Sequence, residues 1–120
     1  DWLALFADDG YYRVMQRDNY ERGDNLVLMG EDLRRLGPRI VAGRLLDPRQ
    51  SVHLLSGLEC GNGDGLLHAS ASFALWRDGI PSFAGRYFLG LRWGGARTRI
   101  SRWTVVLDNK VVTETIYLPI

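Results

Sequence analysis

The chain has 120 residues and a formal net charge of +1, with 46% hydrophobic and 24% charged residues. That length suits one globular domain burying roughly two-thirds of its unfolded surface, and the near-neutral charge excludes a global field that would gather nucleic acid or acidic membrane. The lone cysteine, Cys60, excludes an internal disulfide framework and any zinc site built on paired cysteines, and no stretch approaches the ~20 apolar residues of a membrane-spanning helix.

Residues 2–7 read as the last turns of an amphipathic helix, with Trp2, Leu3, Leu5 and Phe6 crowding one side. Asp8, Asp9 and Gly10 are expected to stop it, with Gly10 suited to a left-handed cap. A chain that opens inside a helix, at Asp1, is expected to have further residues upstream. Residues 11–15 are aromatic and β-branched enough for a strand. Residues 18–24 are polar and read as a loop, and residues 25–29 as a second short strand. Between residues 30 and 43, Leu33, Leu36, Ile40 and Val41 fall at helical spacing, with Glu31 and Asp32 near the start. Pro38 predicts a kink or a break there.

From residue 51 the pattern becomes strand after strand. Residues 51–60 lead into a glycine-rich turn at 61–65. Leu67, Ala69, Ala71, Phe73 and Leu75 then alternate with His68, Ser70, Ser72 and Trp76, which gives one apolar and one mixed face. Asp78-Gly79, Gly94-Gly95 and Asn109-Lys110 mark three further turns, separating strands at 83–93, 98–108 and 111–118. Gly85 and Gly90 predict bulges or bends within one strand. Helices set beside a curved, largely antiparallel sheet make an α+β fold, read as one domain over residues 1–120, without repeats or linker.

Two histidines, His53 and His68, lie on adjacent predicted strands. With Asp8 and Tyr12 they form the candidate pocket of a general acid–base enzyme, such as a dehydratase, isomerase or cyclase, or of a small-ligand binding protein. The cysteine and histidine supply cannot build a Rieske cluster, which needs two of each. A facial-triad iron would consume both histidines. Cys60 has no activating base beside it in sequence and reads as structural. The glycine-rich turn is followed by a strand, not the helix a phosphate loop requires. The basic residues are fourteen Arg and one Lys, Lys110. Five of the arginines, Arg86, Arg92, Arg97, Arg99 and Arg102, sit on two late strands interleaved with aromatic residues. At so low a net charge that pattern favours a protein interface over single-stranded nucleic acid.

WLALFADDGYYRV near the start, SVHLLS, ASASFALWRDGIPSFAGRYFLGLRW and the ending ISRWTVVLDNKVVTETIYLPI together resemble the small (beta) subunit of aromatic-ring-hydroxylating Rieske dioxygenases. The likeness covers nearly the whole chain and is greatest to the branch acting on benzoate-, terephthalate- or salicylate-type acids. It implies the cone-shaped roll of nuclear transport factor and scytalone dehydratase, a strongly curved antiparallel or mixed sheet packed on N-terminal helices, here with the first helix truncated. It also implies a heterohexamer, with three small subunits joined to three large (alpha) subunits; the lack of a membrane-span or signal-peptide pattern makes the cytoplasm the expected location. The Rieske [2Fe–2S] cluster and mononuclear Fe(II) would lie in the large subunit. This chain would then carry no catalytic, cofactor-binding or metal residue and would support assembly. The contacts expected to do so are Arg86, Arg99, Arg102, Trp103 and Tyr117. Two positions depart from the family pattern. Val52 stands where a basic residue usually precedes the central histidine, and Gly37-Pro38 interrupts a regular helix.

Overall fold

A computed structural model describes residues 2–63, 65–94, 96–113, 116 and 118–120. After a 3-10 helix at Trp2–Leu5 come β1 (Phe6–Gln16), α1 (Arg17–Arg22), β2 (Met29–Asp32) and α2 (Leu33–Leu46). Four long strands follow: β3 (Ser51–Gly63), β4 (Leu66–Arg77), β5 (Ile80–Gly94) and β6 (Arg97–Leu107). They form a six-stranded sheet in the order β2-β1-β6-β5-β4-β3. Strands β1 and β6 run parallel and every other neighbouring pair is antiparallel, so the sheet is mixed and open, with β2 and β3 at its edges. The architecture is α+β, as the sequence pattern predicts.

From Ala71 to Leu75 the alternation read in the sequence is an alternation of burial. Ala71, Phe73 and Leu75 are buried, while Ser72 and Ala74 between them are not. Their register partners on β5 and β6 continue the same face. Tyr87 lies opposite Ala71 and Val105 opposite Tyr87, and both are buried. Tyr12 and Val14 of β1, Leu36 of α2 and Ile120 complete this core. Tyr12 ties down the chain end, since its hydroxyl accepts from the Ile120 N–H at 2.7 Å and donates to the Ile120 carbonyl at 3.3 Å.

Helix α2 starts where Asp32 caps it, its carboxylate accepting from the Arg35 N–H at 3.2 Å. It packs on β1 and β2. The β3–β4 end of the buried face is thereby left without a helix packed on it. Every residue of β3 is exposed, including Val52 at 58% and Leu54 at 58%.

Several local expectations are corrected. The opening helix ends at Leu5, and residues 6–10 join β1, because Trp2 packs its ring on Phe6 (4.9 Å) and Tyr12 (5.5 Å), an attraction that outweighs helix propensity. Gly10 is not in a left-handed conformation. It sits where β1 shifts register against β6 between Phe6 and Tyr11, and a Cβ there would come within 2.8 Å of the Phe6 ring. The polar stretch at 18–24 is mostly helix α1, stopped by Gly23 at φ 73°. Tyr20 stacks on Phe88 at 5.2 Å, and Arg17 reaches Asp108 at 2.6 Å, which holds α1 to the sheet. The second short strand begins at Met29 rather than residue 25, since pairing with Tyr11–Val14 selects 29–32. Helix α2 runs unbroken through Pro38, which is exposed, so water can serve the carbonyl that Pro38 leaves unbonded. Asp78-Gly79 is the expected tight turn, at φ 50° and 76°. Residues 111–113, 116 and 118 are not strand. Gly95 of the expected Gly94-Gly95 turn, Asp64 of the glycine-rich turn and residues 114, 115 and 117 lie outside the described residues.

Candidate functional site

At the uncovered end of the buried face lies a cavity of about 600 Å³ between α2 and β3. Its floor comes from alternate residues of the central strands, Ala69 and Ala71 of β4, Tyr87 and Leu89 of β5, and Trp103 of β6. One wall is Ile40 and Arg44 of α2, and the opposite wall is His53, Leu55 and Leu58 of β3. Period two places floor residues on one face, and the i, i+4 spacing of Ile40 and Arg44 places both on one side of α2. Leu58 reaches inward because β3 shifts register between Ser56 and Glu59, with Gly57 at φ 64°. Trp2 and the chain end, Leu118, Pro119 and Ile120, complete the lining.

The lining is largely apolar and aromatic. Trp103 stands 5.4 Å from both Trp2 and Tyr87, and Tyr87 stacks on Phe73 at 4.2 Å. The Trp103 indole N–H is buried without an acceptor. Burial pushes the Tyr87 phenol well above its usual range. Burial, followed by the positive charge of Arg77, lowers the His53 pKa below 6.5, so this ring is neutral at pH 7. Arg77 itself is buried, facing Asp47 at 3.5 Å and the Phe83 ring at 5.4 Å. Asp47 also accepts two bonds from Arg49, each 2.7 Å. Those bonds, with the nearby positive charges, bring its carboxyl down to about 2.

The acid–base quartet does not assemble. His53 lines the cavity, but His68 is paired with Gly61 rather than near His53, and its Nε2 lies 3.0 Å from the Gly63 carbonyl at an exposed site. His53 is opposite Leu75 on β4, seven residues beyond His68, an odd number that puts the two on opposite faces. Tyr12 is fully buried with its hydroxyl spent on Ile120. Asp8 is exposed beside Asp9, Arg92 and Arg99 in a separate depression of about 380 Å³. There Arg92 grips Asp9 with two bonds of 3.1 and 3.2 Å and holds its carboxyl below the usual range. Among the described residues, no three His, Cys, Asp or Glu side chains gather as a metal site would require.

The expected contact surface is also divided. Arg99 and Arg102 are exposed. Trp103 points the other way, into the aromatic cluster with Trp2, Tyr12 and Tyr87. Arg86 is half-buried, donating to Ser72 at 3.2 Å and Ser70 at 3.4 Å across the outer face. Tyr117 lies outside the described residues. Sequence reasoning missed Arg44, Trp2, Leu55 and Leu58 as lining. The Ile40–Arg44 spacing carried a signal for the first of these, but nothing local announces the bulge that turns Leu58 inward.

No protein-family model and no curated protein sequence matches the chain. Solved structures do. A structure described as the beta subunit of an aromatic-ring-hydroxylating dioxygenase from Novosphingobium aromaticivorans superposes with a TM-score of 0.84 at 28% identity, covering 99% of this chain and 82% of that one. The beta subunit of benzoate 1,2-dioxygenase from Burkholderia mallei matches at TM-score 0.69 and 17% identity, covering 97% and 80%. Naphthalene 1,2-dioxygenase matches at 0.74 and 14%, covering 99% and 74%. The likeness to these last two is one of fold, and it extends alike to a benzoate and a naphthalene enzyme. The same fold recurs in an NTF2-like protein with a cystatin-like fold from N. aromaticivorans, at TM-score 0.54 and 14% identity over 98% of this chain and 74% of that one. The structural neighbours of this chain thus include beta subunits of aromatic-ring-hydroxylating dioxygenases, and its fold is NTF2-like. No helix of the structure is long and apolar enough to cross a membrane.

Proposed function

We propose that this chain is the non-catalytic small subunit of the terminal oxygenase component of a Rieske aromatic-ring-hydroxylating dioxygenase, supporting assembly of the large catalytic subunit. The observation that carries this reading is the match over 99% of the chain at 28% identity and TM-score 0.84 to a beta subunit of that class. The surface supports it too. An edge strand of thirteen residues, all exposed and carrying Val52, Leu54, Leu55 and Leu58, is the kind of unprotected edge that a partner chain covers. In this reading three copies join three large subunits in the cytoplasm, and the Rieske [2Fe–2S] cluster and Fe(II) belong to the large subunit. The work of this chain is then structural: a rigid sheet presents its outer face and edge to the partner. The rival reading, a stand-alone acid–base enzyme, would need His53 or His68 beside Asp8 and Tyr12, whereas Asp8 lies in a separate depression and the Tyr12 hydroxyl is spent on Ile120.

Co-expression with a dioxygenase large subunit is expected to give a stoichiometric complex by size-exclusion chromatography with light scattering. The chain purified alone is expected to hold no iron and to oxidise no aromatic substrate. Bound iron or a Rieske absorption band in the isolated chain, or failure to co-purify with the large subunits tried, would overturn the reading.

A further inference from the structure

Near the cavity stand three kinds of group that do not satisfy one another. Its walls are aromatic and aliphatic, set by Trp2, Tyr87, Trp103, Leu55 and Leu89. At its mouth is Arg44, on the last turn of α2, exposed and without an ion pair or hydrogen bond among the described residues. Most of the other arginines are engaged, for example Arg39 on Glu31 at 2.6 Å and Arg92 on Asp9 at 3.1 Å. Deeper, the Trp103 indole N–H is a buried donor with no acceptor. Among the described lining residues there is no Asp or Glu. A carboxylate at Arg44 would meet one cation and, among the described lining residues, no competing anion, while a flat apolar body would lie against Trp2, Tyr87 and Trp103. The volume of about 600 Å³ falls within the roughly 300–1,000 Å³ range of pockets that bury small organic ligands, and so admits a body of two or three fused rings.

We propose that this cavity is a binding site for an aromatic monocarboxylate of two or three rings, with Arg44 pairing the carboxylate and the Trp2–Tyr87–Trp103 cluster receiving the rings. The proposal is for binding alone: among the described lining residues no acid stands paired with a base. It stands on the cavity alone and is independent of the assembly reading.

The test is calorimetric titration of the full chain with 2-naphthoate and with its neutral analogue 2-naphthalenemethanol, repeated on the complex with a large subunit where that forms. One saturable site for 2-naphthoate is expected, at least about tenfold tighter than for the alcohol, because the arginine–carboxylate bond is lost in the second case. Arg44→Gln lies on the exposed side of a helix and is expected to keep the fold. It should abolish that difference while leaving alcohol binding within about twofold. Ala71→Phe fills the floor and is expected to abolish both. Absence of binding overturns the proposal, whether the site is intrinsically unable to bind or is filled by another chain segment or a second copy. Equal affinity for acid and alcohol, or an Arg44→Gln chain that still prefers the acid, overturns it too. Should Ala71→Phe fail to fold, the Arg44→Gln comparison decides alone.

Discussion

At the scale of single residues, Asp47 shows how much one carboxylate can govern. It is buried to 6% exposure at the end of α2, accepts two bonds from Arg49 and faces the buried Arg77. Its pKa falls from 3.8 to about 2 on folding, so the unfolded chain takes up the proton first as pH drops. The stabilisation from Asp47 is therefore complete above pH 3.8 and is lost as pH falls toward about 2. Asp47→Asn is expected to cost on the order of 3 kcal/mol at pH 7. Urea unfolding across pH 7, 4 and 2.5 checks both parts. The variant should start less stable and lose less on acidification than the parent, and an unchanged acid profile would mean other carboxylates dominate.

Elements are decided by close approaches that no propensity scale contains. A Cβ on Gly85 would overlap the Val106 carbonyl oxygen and stand 3.1 Å from the Leu107 Cα, both backbone atoms of β6 that cannot turn aside. The glycine lets β5 and β6 come together where Gly85 pairs with Leu107. The bulge expected at Gly85 is not there, since both ladders pass through it in register, whereas β5 does shift register against β6 between Gly90 and Leu91. Gly85→Ala is expected to destabilise by roughly 3 kcal/mol or more. Gly61→Ala is the control, since nothing lies within 4 Å of its added Cβ, and should change stability little. Chemical denaturation of the two variants side by side reads the difference, and equal midpoints would refute the packing argument. Strand β3 is the converse case, long and apolar yet covered on neither face.

At the scale of the whole molecule, assembly turns on which surface meets a partner. Arg102 sits on the outer face, opposite Tyr11 of β1 and Gly90 of β5, and is exposed. Arg102→Glu is expected to weaken the complex with a large subunit at least tenfold by sedimentation while leaving the thermal midpoint of the isolated chain unchanged. Undiminished assembly would remove Arg102 from the interface. Trp103, one residue on, serves the interior instead. Its substitution should lower stability first.

The sequence by itself determined the α+β class, the long alternating strands, the Asp78-Gly79 turn and the apolar face of β4, because period, turn chemistry and burial are local and agree with one another. It also determined which residues could ever do chemistry, and those were few. Only the tertiary structure decided that β1 begins at Phe6, that β1 and β6 run parallel, that His53 and His68 face apart, and that Arg44 meets Trp2 and Trp103 across an open cavity. Each of these depends on register or on packing that no local window contains: Phe6 pairs with Ile100, His53 with Leu75, and Arg44 shares a cavity with Trp103. A shift of one residue reverses a strand's faces, and no short stretch of sequence records that choice.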